Sequence, residues 1–372
     1  MLELAQIVRL HGAAYRARFA DRLLPSHLRA MHDIQACRTA HFGGHLSRCD
    51  ECAKTVFTYH SCGNRHCPKC HGEQTSRWLE QQRARLLPGR YYLLTFTLPS
   101  ELRALARSHQ KQLYGLLMNS AAAALQKLAL DPRYLGARLG ALAVLHTWTR
   151  ALLYHPHVHL LVTAGGLSAD GQHWIEPKNP HYLVPVRALS VLFRAKLCAA
   201  LNHAGLLAHA PQTLWKKDWV VHCQSAGSGH RVLEYLGRYV FRIAISNSRL
   251  ESLVDGQVRF RYRDHHTQRM RHISLPALEF IGRFLQHVLP RGLSKVRYYG
   301  IFSSSAHPQL EHARAMLMRA APSSPPARSD TPLAPPADAP QHPAPQIACP
   351  HCHSGQLIII ERLPRARNHD PP

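Results

Sequence analysis

Residues 155–163 read HPHVHLLVT, and the fold is decided there. Side chains alternate along an extended chain, so His157 and His159 project to one face while Val158 and Leu160 project to the other. Two imidazoles on one rigid strand can hold a divalent cation and leave positions open for phosphate oxygens and water. With 29 histidines in the chain, chance alone supplies about two His-x-His patterns. The three present, at 155/157, 157/159 and 351/353, therefore carry little weight as a count. The weight of the central pair comes from the clean apolar run that follows it.

Working outward, YYLLTFTLP (91–99) and ALAVLHTW (141–148) read as companion strands. LWKKDWVVHC (214–223) and KVRYYGIF (295–302) read as further strands, and QVRFRYRD (257–264) with MRHISL (270–275) as a hairpin. Apolar spacing predicts one or two amphipathic helices over residues 1–34, and helices over Glu101–Leu130, Arg187–Asn202, His230–Arg242 and Pro276–Val288. The mixture is α+β. Residues 321–346 hold nine of the 26 prolines, which predicts an extended, unpacked linker.

The 372 residues carry 46 Lys and Arg against 22 Asp and Glu, a formal charge of 46 − 22 = +24. A polyanion is the expected partner. At 45% hydrophobic residues the chain can bury a core, which excludes wholesale disorder. No apolar run reaches the roughly 18 residues of a membrane span, and Arg9, Arg16, Arg18 and Arg22 interrupt the apolar pattern of the N-terminus, unlike a signal peptide. These features predict a cytoplasmic protein working on nucleic acid, with no membrane partner.

Ten cysteines in such a chain are expected as reduced thiols, so their spacing points to metal. Chance supplies about 0.3 Cys-x-x-Cys, yet the chain has Cys49/Cys52, Cys67/Cys70 and Cys349/Cys352. The run Cys49-x2-Cys52-x14-Cys67-x2-Cys70 predicts two knuckles offering four thiolates to one structural Zn²⁺. Cys37, His45, Cys62 and His66 lie in the same stretch and either form a second site or only support the first.

Helical spacing through VLEYLGRYVFRIAIS puts Tyr235, Arg238, Tyr239 and Arg242 on one face. Guanidinium charge favours the phenolate and grips phosphate. A helix that buries its tyrosines and exposes its arginines satisfies the same spacing, and the two readings stand level.

Taken in order, SCGNRHCPKC, HPHVHLLVTAGG, YLGRYVFRIAISNSRL and FLQHVLPRG with VRYYG resemble the two-tyrosine HUH transposases of the insertion sequence 91 family, over residues 5–305. The resemblance implies an HUH endonuclease-like antiparallel sheet flanked by helices, preceded by a small zinc-binding domain. It implies a helical and zinc-binding domain over 1–85 and a catalytic domain over 86–305, leaving a linker at 306–347 and a Cys/His tail at 348–372 to which it assigns nothing. It also implies rolling-circle transposition through single-stranded DNA in a nucleoid-associated protein. His157 and His159 would hold a catalytic Mg²⁺ or Mn²⁺, Tyr235 and Tyr239 would be the paired nucleophiles, and Arg238 and Arg242 would contact DNA phosphate. For a third metal ligand the sequence offers His155 and Gln224. A rolling-circle replication initiator or relaxase would share this chemistry, and a zinc-dependent DNA-binding regulator would explain the charge and the cysteines alone.

Overall fold

The computed structural model describes residues 1–70, 78–82, 85–179, 182–228, 243–264, 267–320 and 348–366. Its central strand is β5, Tyr154–Leu167, flanked by β4, Arg138–Trp148, and β3, Arg90–Thr97. The sheet runs on through β11, Val296–Gly300, beside β4, and β7, Val221–Ser228, beside β3, and every pairing is antiparallel. The short β6, Trp174–Ile175, pairs with the end of β5.

The two faces of this sheet explain the sequence pattern of β5. On one face Tyr92, Leu94, Phe96, Val158, Leu160 and Val162 pack with Leu113, Leu117 and Leu125 of α4, Gln110–Ala129, and with Leu189, Phe193 and Leu197 of α5, Val186–His203. The opposite face is divided. At one end Tyr91, Leu142, Val144 and Leu161 pack on Leu310 and Ala313 of α7, His307–Ala320. At the other end the same face presents histidines. β5 therefore alternates where one face is polar, and turns continuously apolar from Leu160 to Val162 where both faces are covered.

A second core joins the N-terminal helices to a later part of the chain. Leu4, Ile7 and Val8 of α1, Leu4–Arg18, and Met31 and Ile34 of α2, Pro25–Ala36, pack with Phe280, Ile281 and Phe284 of α6, Ala277–Leu285. The antiparallel meander of β8, Leu250–Val254, β9, Gln257–Arg263, and β10, Met270–Pro276, adds Val258, Phe260 and Leu275. The N-terminal helices thus share a core with residues 244–288 across the boundary expected at residue 85. A third small sheet, in the order β12, β1, β2, is built from Leu357–Leu363, Gly44–Cys49 and Thr55–Tyr59. The tail is a strand of the N-terminal module.

Three local expectations change. The helix expected over Glu101–Leu130 is two, α3, Arg103–Ser108, and α4, meeting at His109. Residues 214–219 are not strand: Trp219 Nε1 donates to Leu214 O at 3.2 Å and Lys217 pairs with Glu101, folding the segment back before β7 begins. Helix α7 occupies the first part of the expected linker, while the prolines of 321–346 and the expected helix His230–Arg242 lie outside the described residues. Among the described residues no helix is long and apolar enough to cross a membrane.

Gly300 closes β11 in the left-handed region, φ +62°, and a Cβ there would stand 1.8 Å from Leu139 O. The Gly300→Ala variant should lose about 3 kcal/mol of stability, since neither the backbone angle nor the space admits a side chain. Chemical denaturation with unchanged stability would contradict the close packing of β11 on β4.

Candidate active site and metal centres

The register of β4 and β5 sets His146 opposite His157, and His159 lies two residues further along the same face. The three rings stand 4.8–5.4 Å apart by centroid, and each offers a ring nitrogen within 4.8 Å of the others. His157 Nδ1 lies 2.7 Å from the carbonyl oxygen of His155. A carbonyl only accepts, so the proton sits on Nδ1 and the Nε2 lone pair can serve a cation. Thr95 of β3, paired with His159, holds His159 Nδ1 at 3.0 Å through its hydroxyl. Trp148 stacks on the His146 ring at 4.9 Å and 23°, and Lys295 Nζ lies 4.9 Å from the Trp148 ring centroid. Burial pulls His157 down to about 4, and burial followed by the neighbouring His157 pulls His159 down to about 3. Both imidazoles are therefore neutral ligands near pH 7.

Of the two candidates for a third ligand, neither takes that place, which His146 fills instead. Arg103 donates to His155 Nδ1 at 2.8 Å. Gln224 aligns with Leu93, two positions along β7 from His222, the residue aligned with Thr95. His146 was missed because it is one polar residue in an apolar run, and only the strand register reveals its position.

The histidines open into a cavity of about 480 Å³ walled by Thr97, Trp148, Arg150, Arg249, Tyr262 and Arg263. A second hollow of about 320 Å³ shares Arg150, Arg249, Tyr262 and Arg263 with it and adds Arg261. Strand alternation produces this wall: Val258 and Phe260 are buried while Arg259, Arg261 and Arg263 face outward. Arg150 is anchored by donating to Arg263 O at 3.1 Å. Cations interleaved with aromatic rings beside a cluster able to hold a metal suit a nucleic-acid backbone.

The cysteines form two quartets: Cys37, Cys62, Cys67 and Cys70, and Cys49, Cys52, Cys349 and Cys352. The run Cys49, Cys52, Cys67, Cys70 does not converge on one point. The hairpin of β1 and β2 divides it, with Gly44 paired to Tyr59 at the base and Arg48 to Thr55 at the tip, about 13 Å of strand apart. Cys37 and Cys62 lie at the base and Cys49 and Cys52 at the tip. Tetrahedral thiolates on zinc stand about 3.8 Å apart. The sulfurs of Cys37 and Cys70 stand 3.5 Å apart and those of Cys62 and Cys70 3.4 Å, and all ten cysteines are free thiols. Sulfhydryl hydrogen bonds from Cys37, then Cys62 and Cys67, push Cys70 toward thiolate, while the hydrogen bond with Cys37 holds Cys62 and Cys67 up, so the fit to a soft cation rests on the convergence of the four sulfurs. The donor set fits structural Zn²⁺.

His45 and His66 stay out of both quartets. The His45 ring packs on His60 at 5.1 Å, and His66 Nε2 accepts from Leu289 N at 3.2 Å. Beside His66, the Arg65 guanidinium donates to the carbonyls of Leu289, Pro290 and Leu293 at 3.2, 2.8 and 2.7 Å. The knuckle between Cys62 and Cys67 thereby clamps the segment leading into β11. Tyr235, Arg238, Tyr239 and Arg242 lie outside the described residues.

Two family models match the chain, one described as "Transposase zinc-binding domain" over residues 7–98 and one described as "Putative transposase" over residues 140–309. The "Putative transposase y4qJ" of Sinorhizobium fredii is 40% identical over 389 residues, covering 96% of this chain and 95% of that protein. The "Transposase for insertion sequence element IS801" of Pseudomonas savastanoi pv. phaseolicola is 30% identical over 285 residues, covering 72% of this chain and 68% of that protein. No solved structure matches significantly. A thiolate-held module joined to an antiparallel sheet, with both parts matched in chain order, makes the protein a transposase, an enzyme acting on DNA. The chain belongs to the insertion sequence 91 family and carries that family's N-terminal zinc-binding domain.

Replacing Arg65 by Ala would leave three carbonyls without their donor. That should cost about 2 kcal/mol, and Arg65→Lys should recover only part of it because a single ammonium cannot span the three acceptors as the planar fork does. Denaturant midpoints of the two variants check this, and equal stabilities for Arg65→Ala and the parent would refute the clamp.

Proposed function

We propose that the protein cuts and rejoins single DNA strands by tyrosine attack at a phosphate seated on His146, His157 and His159, as a rolling-circle transposase does. The observation that carries this reading is the convergence of those three imidazoles at the mouth of an arginine-walled groove. Three convergent ring nitrogens and an open cavity fit a divalent ion, and of Mg²⁺ and Mn²⁺ the nitrogen donors suit Mn²⁺ better. Bound there, such an ion would draw charge from the scissile phosphate.

The residues of the chain divide the remaining work. Arg150, Arg261 and Arg263 line the path of the strand, and Arg238 and Arg242 contact phosphate beside the nucleophiles. The hydroxyl oxygen of Tyr235 or Tyr239 forms a bond to phosphorus, and the bond from phosphorus to the 3′-oxygen breaks. The phenolic proton passes to water while the departing 3′-oxygen takes one up, leaving a 5′-phosphotyrosine and a free 3′-hydroxyl. One phosphoester replaces another, so rejoining needs no ATP. The second tyrosine permits a second exchange while the first is occupied. The DNA partners are the single-stranded ends of the element and its target.

On a labelled single-stranded oligonucleotide, His146→Ala, His157→Ala and His159→Ala should each slow cleavage by about 100-fold or more while DNA binding persists. Thr95→Val, which removes the partner of His159 Nδ1, should weaken metal affinity by about 10- to 100-fold. Tyr235→Phe and Tyr239→Phe should each still form a covalent adduct, and the double variant none. Full cleavage in excess chelator, or an adduct on the double variant, would overturn the mechanism.

A further inference from the structure

The zinc-binding region matched by the family model ends at residue 98, so it contains Cys49 and Cys52 but neither Cys349 nor Cys352. We infer that these four cysteines form a second zinc site, in which the C-terminal tail completes the N-terminal module and is fastened to it by the metal.

The geometry is that of a closed tetrahedral site. Cys49 and Cys352 sulfurs stand 3.6 Å apart and those of Cys52 and Cys349 3.7 Å, close to the roughly 3.8 Å of thiolates on zinc and far from the roughly 2 Å of a disulfide. Each Cys-x-x-Cys turns as a knuckle that aims backbone N–H groups at its sulfurs. Cys52 N donates to Cys49 Sγ at 3.4 Å, His351 N to Cys349 Sγ at 3.4 Å, and Gly355 N to Cys352 Sγ at 3.3 Å. In both knuckles the residue after the second cysteine is left-handed without being glycine, Ala53 at φ 56° and His353 at φ 60°. The two halves, 297 residues apart between Cys52 and Cys349, share one backbone form, and L side chains adopt that form reluctantly.

The halves also fit each other. Gln356 N donates to Asp50 Oδ1 at 2.8 Å, Asp50 N to Gln356 O at 3.1 Å, and Ser354 Oγ to Glu51 Oε2 at 2.6 Å. Gly355 passes so close that a Cβ would stand 2.5 Å from Cys49 Sγ. From there β12 runs antiparallel along β1, Leu357 opposite Cys49 and Leu363 opposite Gly44.

Apolar burial does not hold this strand. No residue of β12 is buried, and Ile358, Ile359 and Ile360 are each half exposed or more. A short edge strand with one ladder and no core contact needs another fastening, and four converging thiolates supply it through zinc. Soft sulfur donors in a tetrahedral set select Zn²⁺ over the hard divalent ions.

Protein purified without added metal should contain two zinc per chain, and the Cys349→Ser/Cys352→Ser chain one, with its helical signal retained. Because a double variant can also lose metal by misfolding, a second test keeps the native cysteines. A site-specific protease sequence is inserted between Pro336 and Ala337, the chain is cut, and gel filtration follows the tail. The tail should stay with the body and leave when a zinc chelator is added, whereas the cut tail of the double-serine chain should leave without chelator. One zinc in the parent chain, two in the double variant, iron in place of zinc, or a cut native tail indifferent to chelator would each overturn the inference.

Discussion

The pairing of β4 with β5 sets His146 across from His157, and the remainder of the molecule holds that register. Because side chains alternate with a period of two, a slip of one residue would turn His146 into the core under α4 and α5 and bring apolar side chains into the cavity. The neighbours on each side oppose such a slip. Val158, Leu160 and Val162 are locked among the helices, while Leu142, Val144 and Leu161 are locked beneath α7. The histidines are thus placed by apolar packing on the other face and at the far end of their own.

The zinc-held module reaches the same register by a chain of backbone contacts. Cys62 and Cys67 bracket Arg65 and His66, which bind the backbone of residues 289–293. Two residues on, Lys295 O accepts from Leu145 N at 2.9 Å, and β11 then pairs with β4, Val296 opposite Val144. The shared core of α1, α2 and α6 supports this from behind. Distance from the chemistry does not make the thiolate module a detached appendage, since its knuckle touches the segment that fixes the outer side of β4.

Much of this was legible in the chain. β3, β4, β5 and β11 were visible from apolar runs, and the hairpin of β9 and β10 from alternation of arginine with Val258 and Phe260. His157 and His159 could be placed on one face from period two alone. His146 could not, because its meaning depends on which strand lies beside β5, a long-range fact that local spacing does not encode. The cysteine grouping failed for a related reason. Cys49, Cys52, Cys67 and Cys70 have a plausible interval in sequence, but a hairpin between them puts a strand's length between the pairs. Counting would have helped: of ten cysteines, setting aside Cys198 and Cys223 in the α+β domain leaves eight, enough for two sets of four.

The strand order β12, β1, β2 also bears on how the chain is made. Synthesis is vectorial, so Cys52 leaves the ribosome 297 residues before Cys349, and Cys49 303 residues before Cys352. At about 5–20 residues per second that interval is roughly 15–60 s. During it, β1 has one open edge and the tip of its hairpin holds only two of four sulfurs. The base of the hairpin, with Cys37, Cys62, Cys67 and Cys70 all in place by residue 70, has no such wait. The module is therefore assembled in two episodes, one once residue 70 has been made and one only after residue 352, and a nascent chain that stops short of residue 349 carries a hairpin whose far tip is unfinished.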